Sequence, residues 1–185
     1  MPFADVVYSP HSYDSEAESG MGFDSRAATR CFANARDLAE EAEALAGLWI
    51  GEYGAWPTRR ASSSMTAEYD AFGALAAGTT YWAYDRGGGY SLLDDEGAER
   101  EPLVSTLVRP WPERVAGDPL SYAFDAATST FTLSYRADPA ISAPTETVLS
   151  RVYPSGYAVQ CDGCEIEEAG PILRVTSPPS GIRRS

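Results

Sequence analysis

The sequence predicts two architectures in series: an α/β region, then a small antiparallel β-sandwich. Three observations carry this. Strand-like and helix-like segments alternate in the order β-α-β-α-β over residues 5–84. The helical segments are long enough to cross over, which implies parallel strands covered by helices. After Arg109-Pro110-Trp111-Pro112 the pattern changes to short β-rich segments separated by turn residues, as in a sandwich. The 185 residues fit one domain and a smaller second one, at about 150 residues per domain. Hydrophobic residues make up 44%, which is enough to bury a core. The expected boundaries are 1–109, 110–177 and a disordered tail at 178–185.

Each element has a local reason. Residues 5–9, with Val6 and Val7, read as a short buried strand, and the acidic Gly/Ser stretch 15–25 reads as a loop. Between 27 and 46, apolar residues recur at Ala28, Cys31 or Phe32, Ala35, Leu38 or Ala39, Ala42 and Leu45. That spacing is an amphipathic helix. Gly47 supplies its stop. Leu48-Trp49-Ile50 is a second strand, closed by Gly51-Glu52-Tyr53-Gly54. Ser62 to Ser64 predict the cap of a second helix through Met65, Tyr69, Phe72 and Leu75, with Gly78 ending it. Residues 79–84 are the third strand, and 102–108 predict a last short helix. In the second region, strands are expected at 121–124 and 130–135 around a turn at 125–129. More follow at 147–149, 157–160, 165–167 and 172–176.

Charge and cysteine usage exclude several function classes. The 14 basic residues are all arginine and face 27 acidic ones, for a net charge of −13. Such a surface repels phosphate backbones, so no nucleic-acid partner is expected. No apolar run approaches the ~20 residues of a membrane span. The opening Met1-Pro2-Phe3-Ala4-Asp5 lacks the basic and apolar regions of a signal peptide. Cys161 and Cys164 form a C-x-x-C, which is half a zinc site with no second ligand pair. They read as a local disulfide or two idle thiols. Asp162-Gly163 lies between β-like segments and predicts a hairpin turn rather than a redox motif. No metal or organic cofactor is expected.

Ligands of parallel sheets bind at the carboxyl ends of the strands. Here those ends are Pro10-His11-Ser12-Tyr13-Asp14, then Glu52, then residues 82–85. Singly, each has an ordinary reading: a loop histidine, a carboxylate at a helix N-terminus, a core tryptophan. Together the chain's single histidine, a carboxylate between glycines and a Trp-Tyr pair converge on one face. Glu52 is the hardest to explain structurally, because it follows an apolar strand where burial disfavours charge.

The run Leu48-Trp49-Ile50-Gly51-Glu52-Tyr53-Gly54-Ala55 resembles the seventh strand of family 5 glycoside hydrolases, whose Gly/Thr-Glu-Phe/Tyr-Gly signature carries the nucleophile. Pro10-His11-Ser12-Tyr13-Asp14 resembles the His-x-Tyr motif ending the sixth strand. Tyr81-Trp82-Ala83-Tyr84 resembles the eighth. Arg109-Pro110-Trp111-Pro112, Val115-Ala116-Gly117, Ser134-Tyr135-Arg136, Pro139 and Ala143-Pro144-Thr145-Glu146-Thr147 are similar to the C-terminal β-domain of the endoglycoceramidase-like branch. The resemblance implies the last three β/α units of a TIM barrel followed by a β-sandwich. It implies a retaining hydrolase with Glu52 as nucleophile, Tyr13 holding Glu52, and His11 lining the site. Trp82 would be a sugar platform, with Trp56 and Asp85 at the rim. The implied substrate is a glycan or glycolipid, with oligosaccharide cleaved from ceramide, and the implied location is extracellular.

The family's acid/base lies in an Asn-Glu motif on the fourth strand, and this sequence contains no such pair. A whole barrel takes about 250 residues. The expectation is therefore an incomplete site, inactive alone, whose N-terminal barrel half is missing or comes from elsewhere. Two other readings stand beside it. One is a non-catalytic remnant or a glycan- or lipid-binding sandwich module. The other is a family 5 enzyme acting on polysaccharides or glucosides.

Overall fold

A computed structural model of the chain describes residues 6–14, 27–42, 47–56 and 61–177. The expected loop at 15–25, the last turn of the first helix (43–46) and the tail at 178–185 lie outside the described residues. The chain divides into two compact units, Met1–Leu107 and Val108–Ser185.

The first unit is mixed α/β. Its strands β1 (Val7–Tyr8), β2 (Gly47–Tyr53) and β3 (Gly78–Tyr81) form a parallel sheet in that order. Two helices make the crossovers, α1 (Ala27–Ala42) and α2 (Ala61–Ala74). A short α3 (Glu101–Leu107) follows. Ile50 and Tyr53 of β2 are buried with Met65, Ala71 and Phe72 of α2. The Tyr53 ring meets Phe72, Tyr69 and Tyr81 edge-on, at 5.4, 6.3 and 5.5 Å between centroids. This aromatic cluster fixes β2 and β3 against α2.

Three local expectations need correction. Ser62 does not cap α2: the helix already includes Ala61, and the Ser62 hydroxyl donates to the Pro102 carbonyl at 2.8 Å. Gly78 does not end it either. The end is a Schellman turn, with Ala77 N donating to Phe72 O and Ala76 N to Gly73 O. Ala76 takes the left-handed position at φ 51°, where glycine is the usual residue. Thirdly, β3 stops at Tyr81 instead of Tyr84, so Trp82 lies just beyond the strand.

The second unit contains two antiparallel sheets. Strands β4 (Trp111–Arg114), β7 (Thr145–Val148), β8 (Glu165–Ala169) and β9 (Ile172–Thr176) pair in the order β4-β7-β9-β8. Strands β5 (Gly117–Asp125) and β6 (Thr130–Ala137) form a separate hairpin. Its turn is tied by Asp125, which accepts from Ala127 N and from the Thr128 hydroxyl, both at 2.8 Å. The expected strand at 157–160 is absent. Tyr157 and Val159 are more buried than Ala158 and Gln160, which explains the alternation, but the segment pairs with no ladder. Cys161 and Cys164 are joined by a disulfide, and Asp162-Gly163 is its tight turn, not a hairpin between paired strands.

Candidate active site

β2 carries Glu52 at its next-to-last position. Pairing with β3 shifts register between Ile50 and Tyr53, a bulge of the kind that re-aims side chains. On the other side the chain leaving β1 continues the parallel pairing. Gly51 N donates to Pro10 O at 2.8 Å and Ser12 N to Glu52 O at 2.9 Å. His11 is thereby bridged directly to Glu52. His11 and Tyr13 are two residues apart on extended chain and fall on one side.

Both converge on one oxygen. The Tyr13 hydroxyl donates to Glu52 Oε2 at 3.0 Å, and His11 Nδ1 lies 3.1 Å from the same atom. Among the described residues no hydrogen bond reaches Glu52 Oε1. The Glu52 side chain is 27% exposed, so it is accessible from solvent. A carboxylate held at one oxygen and open at the other is arranged to present that second oxygen to an electrophile.

Tyr13 is itself positioned by Tyr90, whose ring lies 5.6 Å away edge-on. Tyr90 also sits 5.6 Å from Trp56. The Tyr81 hydroxyl donates to Tyr90 O at 3.0 Å, and burial pushes its pKa up to about 12, so it stays a donor. Two glycines make room: a Cβ on Gly54 would meet Trp82 O at 2.8 Å, and one on Gly89 would run into the Trp56 ring. Tyr90 is a site residue that no sequence pattern singles out. Its only signal is an aromatic residue directly after Gly87-Gly88-Gly89.

The remaining expected residues are placed less directly. Trp82 N donates to Tyr53 O at 2.9 Å, which docks it beside the residue following Glu52. Its side chain is 52% exposed, as a stacking surface would be, and the Trp82–Ala83 peptide is cis. Trp56 is also exposed. Asp85 accepts from the Ser91 hydroxyl at 2.8 Å inside its own loop and makes no contact with Glu52 among the described residues. The structure thus brings together His11, Tyr13 and Glu52, links Trp56 through Tyr90, and does not join Asp85 to them.

Behind the site, Asp14 is buried and accepts from Arg30 of α1 at 3.1 Å. The pair ties the His11–Tyr13 segment to the helix. Next to Arg30, Cys31 is buried and is the free cysteine. Burial, then the carboxylates of Glu68 and Asp14, push its thiol up to about 12. Its folded value lies above its unfolded one, so its contribution to stability is full below about pH 9 and is lost as pH rises toward 12. Burial and the raised thiol both suppress accessible thiolate, so alkylation of native protein at pH 8 is expected to be much slower than in urea, as mass spectrometry would measure.

Residues 109–181 match the glycoside hydrolase family 5 C-terminal domain. The chain is 36% identical over 109 residues to endoglycoceramidase I of Rhodococcus hoagii (strain 103S), covering 56% of this chain and 20% of that protein. Its structure is similar to endo-glycoceramidase II from Rhodococcus sp., solved as a ganglioside GM3 complex. The TM-score is 0.77 at 27% identity, covering 94% of this chain and 40% of that one. A Cryptococcus neoformans sterylglucosidase 1 shares the fold, with a TM-score of 0.73 at 13% identity over 95% of this chain and 37% of that one. The chain therefore spans about a fifth of the curated relative and two fifths of the solved ones. No described helix is long and apolar enough to cross a membrane.

Proposed function

From a chain that carries a family 5 C-terminal domain and resembles the C-terminal part of endoglycoceramidases, we propose that it supplies the nucleophile half of a retaining glycoside hydrolase acting on glycolipids. The finer architecture follows from that reading. The parallel sheet β1-β2-β3 is the sixth to eighth strands of a TIM barrel, and the second unit is the appended β-sandwich. The observation that carries the proposal is the convergence of Tyr13 and His11 on Glu52 Oε2.

The chemistry runs through two carboxyl groups about 5–5.5 Å apart. Glu52 attacks the anomeric carbon, forming a glycosyl-enzyme ester as the glycosidic C–O bond breaks. The leaving oxygen, on the ceramide side, takes a proton from the second carboxyl group. That group then deprotonates a water, which releases the sugar from Glu52 with net retention. Tyr13 holds the nucleophile aimed, His11 lines the same oxygen, and Trp82 stacks beneath the sugar. Trp56 and Asp85 belong to the rim. The acid/base lies in the barrel strands that this chain does not contain.

Tyr13→Phe tests the arrangement. In a form that also supplies the remaining barrel strands, loss of one hydrogen bond to a charged group is expected to lower kcat by about 10–100-fold. KM should change little. Unchanged kcat would remove Tyr13 from the site.

A further inference from the structure

The second unit contains a cavity of about 560 Å³ that the glycosidase chemistry does not use. One wall is β6, with Phe131 and Leu133. The other is the β7–β9 face, with Leu173 and Val175. The roof is the unpaired segment carrying Tyr153 and Val159, which runs into the Cys161–Cys164 disulfide. It is a half-open cleft rather than a sealed void, and its volume falls in the range of ligand sites, about 300–1,000 Å³.

Its chemistry selects the ligand. None of the lining residues is charged, although 22% of the chain is, so nothing here recognises an ionic headgroup. Two of the polar groups are committed elsewhere. Thr145 Oγ1 accepts from Ala116 N at 3.0 Å, and the Tyr135 hydroxyl pairs with Ser177 Oγ at 2.7 Å. A sugar placed here would leave part of its hydroxyls unpaired against Phe131, Leu133, Leu149, Val159, Leu173 and Val175, at a cost that apolar walls do not return. A slot between two sheets with aliphatic and aromatic walls suits a slender apolar chain. We propose that this cavity binds one neutral alkyl chain, such as a single chain of a lipid. The proposal stands on the second unit alone and does not depend on Glu52.

The test is a titration of the whole 185-residue chain, with methyl groups labelled, using 1-decanol and 1-octanol as probes. Saturable shifts are expected at Leu133, Leu149, Leu173, Val159 and Val175. Decanol should bind about tenfold more tightly than octanol, since each buried methylene adds about 0.8 kcal/mol. Val159→Trp, which fills the slot from the roof, should abolish the shifts. Leu133→Phe fills it from the opposite wall and serves if the first variant does not fold. The proposal is overturned by absence of saturable shifts, by shifts unchanged in a folded filled variant, or by shifts centred on the exposed Ile141 and Ile166. A comparable response to maltose would overturn it too.

Discussion

Replacing Glu52 by Gln in a form that contains the whole barrel is expected to lower turnover of a glycosphingolipid by on the order of 10⁴-fold or more. The substitution keeps the size of the side chain, and a carbonyl oxygen can still accept from Tyr13. What it removes is the charge and the nucleophilic oxygen, so the glycosyl-enzyme cannot form. Because Glu52 lies next to Tyr53, whose burial holds the sheet on α2, a folded-state control is needed. The melting temperature should stay within a few degrees of the parent, since Glu52 is partly exposed and contributes no core packing. Residual activity within tenfold of the parent would assign the nucleophile elsewhere.

The second large effect concerns the chain by itself. The polypeptide of residues 1–185 is expected to release no oligosaccharide from a glycosphingolipid, in a chromatographic assay able to detect 10⁻⁴ of the rate of a complete endoglycoceramidase (a threshold on the order of the loss expected for a missing catalytic group). Retention needs an acid on the opposite side of the scissile bond. Asp14, the carboxylate closest to Tyr13 in sequence, is buried against Arg30. Asp85 is held by Ser91 in its own loop. Neither is placed to protonate a leaving group. Among the described residues, three parallel strands also leave both sheet edges unpaired, at β1 and β3, where a barrel would continue. Release by this polypeptide that vanished on Glu52→Gln would show that an acid is present after all.

Much of the site was legible because strand ends are punctuated. The order strand, His-x-Tyr, strand, Gly-Glu-Tyr-Gly places His11, Tyr13 and Glu52 at the carboxyl ends of neighbouring strands. What decided the geometry was not legible. Tyr90 follows a glycine triplet, where no periodicity operates, and it reaches Tyr13 only through the path of the loop after β3. Asp85 lies near the rim in sequence, but its loop turns the carboxylate onto Ser91. The helix ends failed for a similar reason. Ser62 and Gly78 have the right chemistry for caps, yet tertiary contacts took Ser62 to Pro102 and the turn was closed by Ala76. At 157–160, alternation reported one-sided burial rather than strand pairing.

The most direct test of the central claim is covalent trapping. A 2-deoxy-2-fluoro glycoside with an activated phenolate leaving group needs no acid to depart, while the fluorine slows release of the ester. Incubated with the barrel-complete form and analysed by peptide mass spectrometry, it should add one sugar to the peptide containing Glu52. A sugar attached to another carboxylate, or turnover without any trapped ester, would contradict the assignment of Glu52 as nucleophile.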